Sequence, residues 1–593
     1  MIAMVRLTRP FRRWRRRASF RRTLLTGLVV VSLLLVAVGW IGGRAWQTRG
    51  NLTNAVGLAR ALGEQLAAQD LAQARHTLDA LQRQSAAARS NSADPLWRVA
   101  AHAPYAGENL AATHAIAATV DDLARQLFPR LLAVDVHALV PRDGRVDLTA
   151  LRRASTEAGA ADAAAQSARA GFDPDPRHLA RPVRDAVEQL GDMLDRLASL
   201  TSAARRASAL LPQLLGANGQ RSYLLAFQNL AEARATGGMI GAYAVLRVSA
   251  GRVTISHQGA TSQLGTFSLP VERELRNLYG DLPGIYPADV NLTPNFAAAA
   301  ARYREMYRLS TGESVDGVLA TDPVALGYLL GATGPVAVPG GTTLTSGTAV
   351  RELLVDIYRR ATPAEQDSYY AHSAKAVFNA LLTRAVDLPA MATALGRALA
   401  ERRLLFWSAH PAEQAVVADT RIGGVLPERE TQPTIGVFLN DGTGAKLSYY
   451  LKGTANLTAG DCRPDGAREY ALRVTLASTA PRSGLTESVL GYGFRDSLNI
   501  PAYTTRTVLA VYGPAGGSVL SAALDGRRTA IGTGRERRRP IGMVALDLRP
   551  GQSRTVQVDL LAPATASGAA DLWLTPGVTP WTTSISPTPS CNQ

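Results

Sequence analysis

The sequence predicts a multidomain chain in four parts: a single transmembrane helix, an α-helical stalk, an α/β domain and a C-terminal β-sandwich. Three observations predict it. A 21-residue stretch without charge, 23–43, follows directly on nine arginines. From about residue 51 to 215 apolar residues recur at helical spacing, and from about 216 strand and helix patterns alternate. After about residue 423 the helical signals stop, and short strands follow one another between Gly, Pro, Asn and Asp turns. The 593 residues suffice for several cores, and a hydrophobic content of 46 % is that of a chain that folds over most of its length.

The charge distribution justifies the first part. The net charge of +16 resembles a nucleic-acid signal until it is located. Residues 1–22 hold Arg6, Arg9, Arg12, Arg13, Arg15, Arg16, Arg17, Arg21 and Arg22 and no acid; removing these nine charges leaves +7 over the other 571 residues. Nucleic acid is therefore not an expected partner. The segment "TLLTGLVVVSLLLVAVGWIGG", 23–43, would reach roughly 31 Å as a helix, one hydrocarbon core. Arginines before it keep the N-terminus cytoplasmic and place everything after Arg44 outside the cell membrane, with Trp40 and Trp46 at the outer interface. "WIGGRAWQ" is a poor cleavage site, so the span is read as an uncleaved anchor. "FRRTLL" has a twin-arginine look that a run of nine arginines makes nearly inevitable.

The stalk, 44–215, follows. Leu58, Leu62, Leu66, Leu71, Leu78 and Leu81 predict a first helix; Val120, Leu123 and Leu127 a second; Val183, Val187, Leu190, Leu194, Leu197 and Leu200 a third, after the proline-rich break "GFDPDPRHLARP". Asp147 stands where it would cap a helix. In the α/β part, 216–422, "RSYLLAFQN" reads as a buried strand. Two strands flank the turn Ser249-Ala250-Gly251, and "NLTPNFAAAAARYREMYRLSTG" reads as a helix. "VDGVLATD" is a strand leading into a helix with Pro323 in its first turn and a stop at Gly334. The sandwich is placed at 423–593.

The chemistry-bearing residues are few. The histidines are scattered, and no HExxH, GxSxG, Walker loop or CxxC occurs. Cys462 and Cys591 lie too far apart for local metal ligation; outside the membrane they read as a disulfide pinning the Thr/Pro-rich tail, the alternative being two buried thiols. The stretch "FQNLAEARATGGMIG", 227–241, interrupts an apolar run with Asn229, Glu232 and Arg234, then Gly237 and Gly238. A strand end with free N–H groups, glycines allowing close approach and a forked guanidinium would grip a phosphate, with Arg221 at the same edge. The plain alternative is a glycine turn carrying a surface pair of Glu232 and Arg234. Asn291 and Asn295 in "NLTPNF" are ligand contacts or helix caps, and "GRERRRP", 534–540, is a solvated loop or a contact for acidic wall polymer.

Three segments in order, "RSYLLAFQNLAEARATGGMIGAYAVLRVSAGRVTI", "DLPGIYPADVNLTPNF" and "TGESVDGVLATDPVALGYLLGATGPVAVPGG", resemble a bacterial envelope family, domain of unknown function 4012, over about 216–360. More distantly, the order of strands, Arg234, the Asn291 loop and the Asp322 strand end is similar to the LytR–CpsA–Psr proteins. That likeness implies an α/β pocket for a polyprenyl-phosphate-linked glycopolymer, with arginines on the pyrophosphate and Mg²⁺ as cofactor. Asn229 lies where that family has an acid, and Ala235-Thr236-Gly237 replaces its Ser-Asp-Thr. The missing carboxylates remove obvious Mg²⁺ ligands, so the resemblance leaves open whether the pocket transfers or only binds. The functional expectation is thus a membrane-anchored envelope protein binding, or transferring, a polyprenyl-phosphate-linked or anionic glycopolymer. The alternative is a non-enzymatic scaffold binding other envelope proteins.

Overall fold

A computed structural model describes residues 11–587 and Cys591, apart from 69, 105, 340–342, 429–430, 492–493 and 567; the side chains of 11–31, 67, 363, 364, 367 and 494 also lie outside that description. The chain divides into two compact units, 1–136 with 149–209, and 137–148 with 210–593.

The first unit is helical: Phe11–Ala67, Leu71–Ser92, Pro95–Ala100, Gly107–Gln126, Phe128–Leu132, Leu148–Ala170 and most of Arg181–Leu214. The first leucine stripe is shared between two helices. Asp70 accepts a hydrogen bond from the Gln73 N–H at 3.0 Å and starts the second one, so Leu62 meets Leu78 and Leu81 across a turn. A second core gathers Leu123, Leu127, Phe172, Val187, Leu190 and Leu194; Leu200, expected on that face, is exposed. Two buried carboxylates tie helices together. Asp121 accepts from the Ser85 hydroxyl at 3.0 Å, and Asp162 from Ser202 at 2.6 Å and Arg205 at 2.7 Å.

The membrane expectation is corrected here. Among the described residues no helix is long and apolar enough to cross a membrane. The uncharged stretch does not form a separate span but lies inside the 57-residue helix Phe11–Ala67. The single-pass localisation and the outside placement of the remaining chain fall with it. Residues 1–10, and the side chains of the remaining basic segment, lie outside the described residues.

The second unit begins with a mixed five-stranded sheet. Its strands are β1 (Arg221–Arg234), β2 (Gly237–Ser249), β3 (Arg252–Ala260), β4 (Gly317–Thr321) and, after a small hairpin of β5 (Val336–Ala337) and β6 (Thr343–Leu344), β7 (Leu405–Ser408). The order is β3-β2-β1-β4-β7, with β1 and β4 parallel and the other pairs antiparallel. The helix Phe296–Thr311 covers one face through Phe296, Ala300, Tyr303 and Tyr307. Asn295 caps it, accepting from the Ala298 N–H at 3.3 Å.

Two further sheets follow from β8 (Thr434–Asp441), β9 (Leu451–Cys462), β10 (Arg468–Ser478), β11 (Thr505–Tyr512), β12 (Ser518–Leu524), β13 (Arg527–Arg528), β14 (Gly532–Glu536), β15 (Arg539–Leu548), β16 (Ser553–Ala562), β17 (Asp571–Leu574) and β18 (Thr582–Ile585). The orders are β13-β12-β16-β10-β9-β18 and β14-β15-β11-β8-β17. Alternating residues from both, such as Val437, Leu439, Leu472, Val474, Leu509 and Val558, form one core. Ala233 of β1 joins that core, and the Ala235 N–H donates to Asn440 Oδ1 at 3.0 Å. The end of β1 is therefore embedded in the sandwich. Cys462 and Cys591 are disulfide-bonded, with Cα atoms 5.7 Å apart.

Candidate functional site

The polar stretch that looked like a break is a bulge inside β1. Asn229 pairs with Met239 and Ala233 with Gly238, leaving Leu230, Ala231 and Glu232 unmatched on the β1 side. The hairpin then closes at Arg234 opposite Gly237. Gly238 is required by crowding: a Cβ there would lie 2.1 Å from the Asn229 carbonyl oxygen. Gly237 has φ +146°, and its Cβ would meet Gln228 Oε1 at 2.9 Å. Both admit the side chain and backbone of the neighbouring strand.

The bulge turns Glu232 away from Arg234. Glu232 is buried and pairs at 3.0 Å with Lys446, which lies between β8 and β9. Lys446 also sits 5.0 Å from the centre of the Tyr358 ring. Asn229 Nδ2 donates to the Tyr358 hydroxyl at 3.0 Å; the Tyr370 hydroxyl lies 2.8 Å from that of Tyr358 and 2.6 Å from the Leu353 carbonyl. These groups form the polar end of a cavity of about 510 Å³. The rest of its wall is mostly apolar, including Phe227, Met239, Ile240, Leu326, Leu353 and Leu354. Leu353 and Leu354 belong to a π-helical turn, Glu352–Asp356, an irregularity that recurs at functional sites. Ser373, on the helix Pro363–Thr383, also lines the wall, and its hydroxyl is buried with no hydrogen-bond partner among the described residues.

Burial opposes the Lys446 charge, but Glu232, Tyr358 and Asp441 outweigh it, and the lysine pKa is raised. Burial pushes the Tyr358 phenol up as well. Asp322 lines the cavity and caps the helix Pro323–Thr333, accepting from the Val324 and Ala325 N–H groups at 2.8 Å each. Burial raises its pKa against the pull of Arg403 and these two N–H groups.

Of the residues singled out from sequence, Asn229, Glu232 and Asp322 line the cavity. The others do not line it. Arg234 is buried and bonded to Asp289 at 2.8 Å and to the Ala233 carbonyl at 2.9 Å. Arg221 stands at the opposite end of the 14-residue strand, paired with Glu413 at 2.9 Å and Asp316 at 3.1 Å and contacting His410. Asn291 ties its loop to the hairpin, donating to Thr236 Oγ1 and to the Gly238 carbonyl at 2.8 Å each. Asn295 is a cap. In the 534–540 cluster Arg539 is buried and donates to the carbonyls of Thr434 and Gly513, while Arg537 pairs with Glu428 at 2.7 Å. Sequence reasoning missed Lys446, Tyr358, Tyr370 and Ser373, and gave Glu232 the wrong partner. One signal was available: Lys375, Lys446 and Lys452 are the only lysines among 64 basic residues.

The Mg²⁺ that the LytR–CpsA–Psr likeness carries does not fit. Among the described residues no three His, Cys, Asp or Glu side chains gather as a cation site. Asp289 is taken by Arg234, and Asp441 by Thr443 and the Gly444 N–H at 2.6 Å.

Asp441 gives a test of this buried cluster. Burial pushes its carboxyl up to about 6, against the pull of Arg234. An unfolded aspartate titrates near 3.9, so between these values the folded state holds a proton that the unfolded state has lost. Stability should therefore fall by roughly 3 kcal/mol as pH rises from about 4 to above 6. Urea midpoints of the parent and Asp441→Asn at pH 4 and 7 should show this fall in the parent alone; equal slopes would contradict it.

Residues 218–358 match the family described as Protein of unknown function (DUF4012). The match takes in β1 to β4 and the cavity wall through Tyr358. No curated protein and no solved structure matches the chain. These findings support the DUF4012 relationship and do not extend to the LytR–CpsA–Psr likeness.

Proposed function

We propose that the DUF4012 part of the chain, completed by Lys446, binds a lipid-linked ligand of the polyprenyl-phosphate class, such as the carrier of an anionic glycopolymer, and holds it without transferring it. One observation carries the reading: a cavity of about 510 Å³ that is apolar along most of its wall and polar at one end. That size lies within the usual range for small-molecule sites. Each 100 Å² of apolar chain buried there contributes about 2.5 kcal/mol. Lys446 is the one cationic side chain among the described lining residues, and it would meet the phosphate. The commitment of Arg221 and Arg234 to carboxylates favours a binder over a transferase.

The test uses the full chain, a fluorescent polyprenyl phosphate and the uncharged polyprenol of equal length. Ala374→Trp should fill the cavity and abolish binding of both. The double variant Glu232→Gln/Lys446→Met removes the ion pair together and leaves no buried charge alone. It should weaken the phosphate roughly ten- to a hundredfold, the equivalent of a charge-assisted contact of about 1.5–3 kcal/mol, and leave the polyprenol unchanged. Undiminished binding to Ala374→Trp would reject the cavity; equal losses for both lipids in the double variant would reject the head-group contact.

A further inference from the structure

A second cavity, of about 210 Å³, lies between the segment 400–403, Arg421 and the stretch 572–583. Three arginines line it, Arg402, Arg403 and Arg421, with Glu401 the single carboxylate among the described lining residues. Two of the arginines have acidic partners. Arg403 pairs with Asp322 at 3.0 Å and with Glu401, and Arg421 with Asp571 at 2.8 Å. Arg402 has none among the described residues.

Arg402 is only 2 % exposed. Its guanidinium lies 5.2 Å from the centre of the Phe438 ring and 4.9 Å from that of Trp573, and Nη1 donates to the Leu574 carbonyl at 3.2 Å. Nε and Nη2 are buried with no partner among the described residues. Those two N–H groups form one edge of the guanidinium, the edge that grips two oxygens of a single anion side-on. The backbone presenting it has φ +59°, a region that side-chain-bearing residues rarely adopt. A buried, unpaired cation is costly, and burial lowers the Arg402 pKa to about 9, with Arg421 adding to the effect. The local need is therefore for a negative charge with two acceptor oxygens.

We infer that this cavity is an oxyanion site, taking a phosphate or phosphoester group side-on at Nε and Nη2 of Arg402. It is a different cavity from that of the lipid-linked ligand and does not depend on that reading. Arg403 connects the two, lining this cavity while bonding to Asp322 of the other.

Equilibrium dialysis of the full chain against labelled inorganic phosphate, at constant ionic strength, tests the site. One saturable phosphate per chain is expected. Arg402→Met should weaken it at least tenfold. Should Arg402→Met fail to fold, Arg402→Lys keeps the charge without the fork and should still lose about tenfold. No saturable binding by the parent, or parental affinity in whichever Arg402 variant folds, overturns the proposal. Competition by glucose 1-phosphate would identify a phosphoester as the occupant; saturable phosphate without that competition would identify the free ion. Acetate competing as well as either would overturn the phosphate assignment.

Discussion

Replacing Arg403 by Met should cost the second unit roughly 3–5 kcal/mol, the usual penalty for leaving one partner of a buried ion pair alone. Both side chains of the Arg403–Asp322 pair are 2 % exposed, and the bond is 3.0 Å long. Arg403 Nη2 also donates to the Gly577 carbonyl at 2.7 Å, so the same guanidinium links the end of β4 to the stretch after β17. Without it Asp322 keeps only its two N–H donors at the start of the helix Pro323–Thr333. The double variant Arg403→Met/Asp322→Asn should recover part of the loss, because no charge is then stranded. Urea unfolding followed by tyrosine and tryptophan emission measures both. If the single and double variants lose equally, the cost comes from the Gly577 contact rather than from the pair.

Removing the disulfide should be comparably damaging. The bond spans 129 residues, and constraint of so long a loop in the unfolded chain contributes about 5 kcal/mol in the chain-entropy model, with observed losses of about 2–5 kcal/mol. Arg468 Nη2 lies 2.9 Å from the Cys462 sulfur and 3.1 Å from that of Cys591, joining the crosslink to β10. The strand β18 pairs in parallel with β9 and is itself exposed. The double variant Cys462→Ser/Cys591→Ser should therefore unfold at lower urea, with faster amide exchange in Thr582–Ile585. A reductant should lower the parent's midpoint and leave the variant's in place. A parent indifferent to reductant would refute the stabilising role.

The elements that were legible announced themselves locally. Gly251 marked a hairpin, and it sits at φ +81° where a Cβ would strike the Val146 carbonyl. Asp322, Pro323 and Gly334 bounded a helix, and each does so by a short-range backbone requirement. What failed was any inference needing a distant partner. Arg234 has the composition of a phosphate ligand, but Asp289, 55 residues on, neutralises it. Glu232 looked like a surface residue because nothing near it in sequence announces a bulge. Lys446 belongs to a stretch that reads only as the edge of a sandwich strand. An uncharged run beside arginines read as a span, and the described helix does not supply the apolar length. Asn229 and Asp322 were found, though their partners Tyr358 and Arg403 were not.

The lysine at the polar end of the larger cavity also has a temporal consequence. The ribosome finishes β4 at Thr321, and Lys446 emerges 125 residues later. At ordinary elongation rates that interval is roughly 6–25 s. Throughout it Glu232 is present without its cation, and Leu353, Leu354, Tyr358 and Tyr370 of the cavity wall are made only part-way through. The polar end of the cavity is therefore completed only after translation has passed β8, the sandwich's first strand.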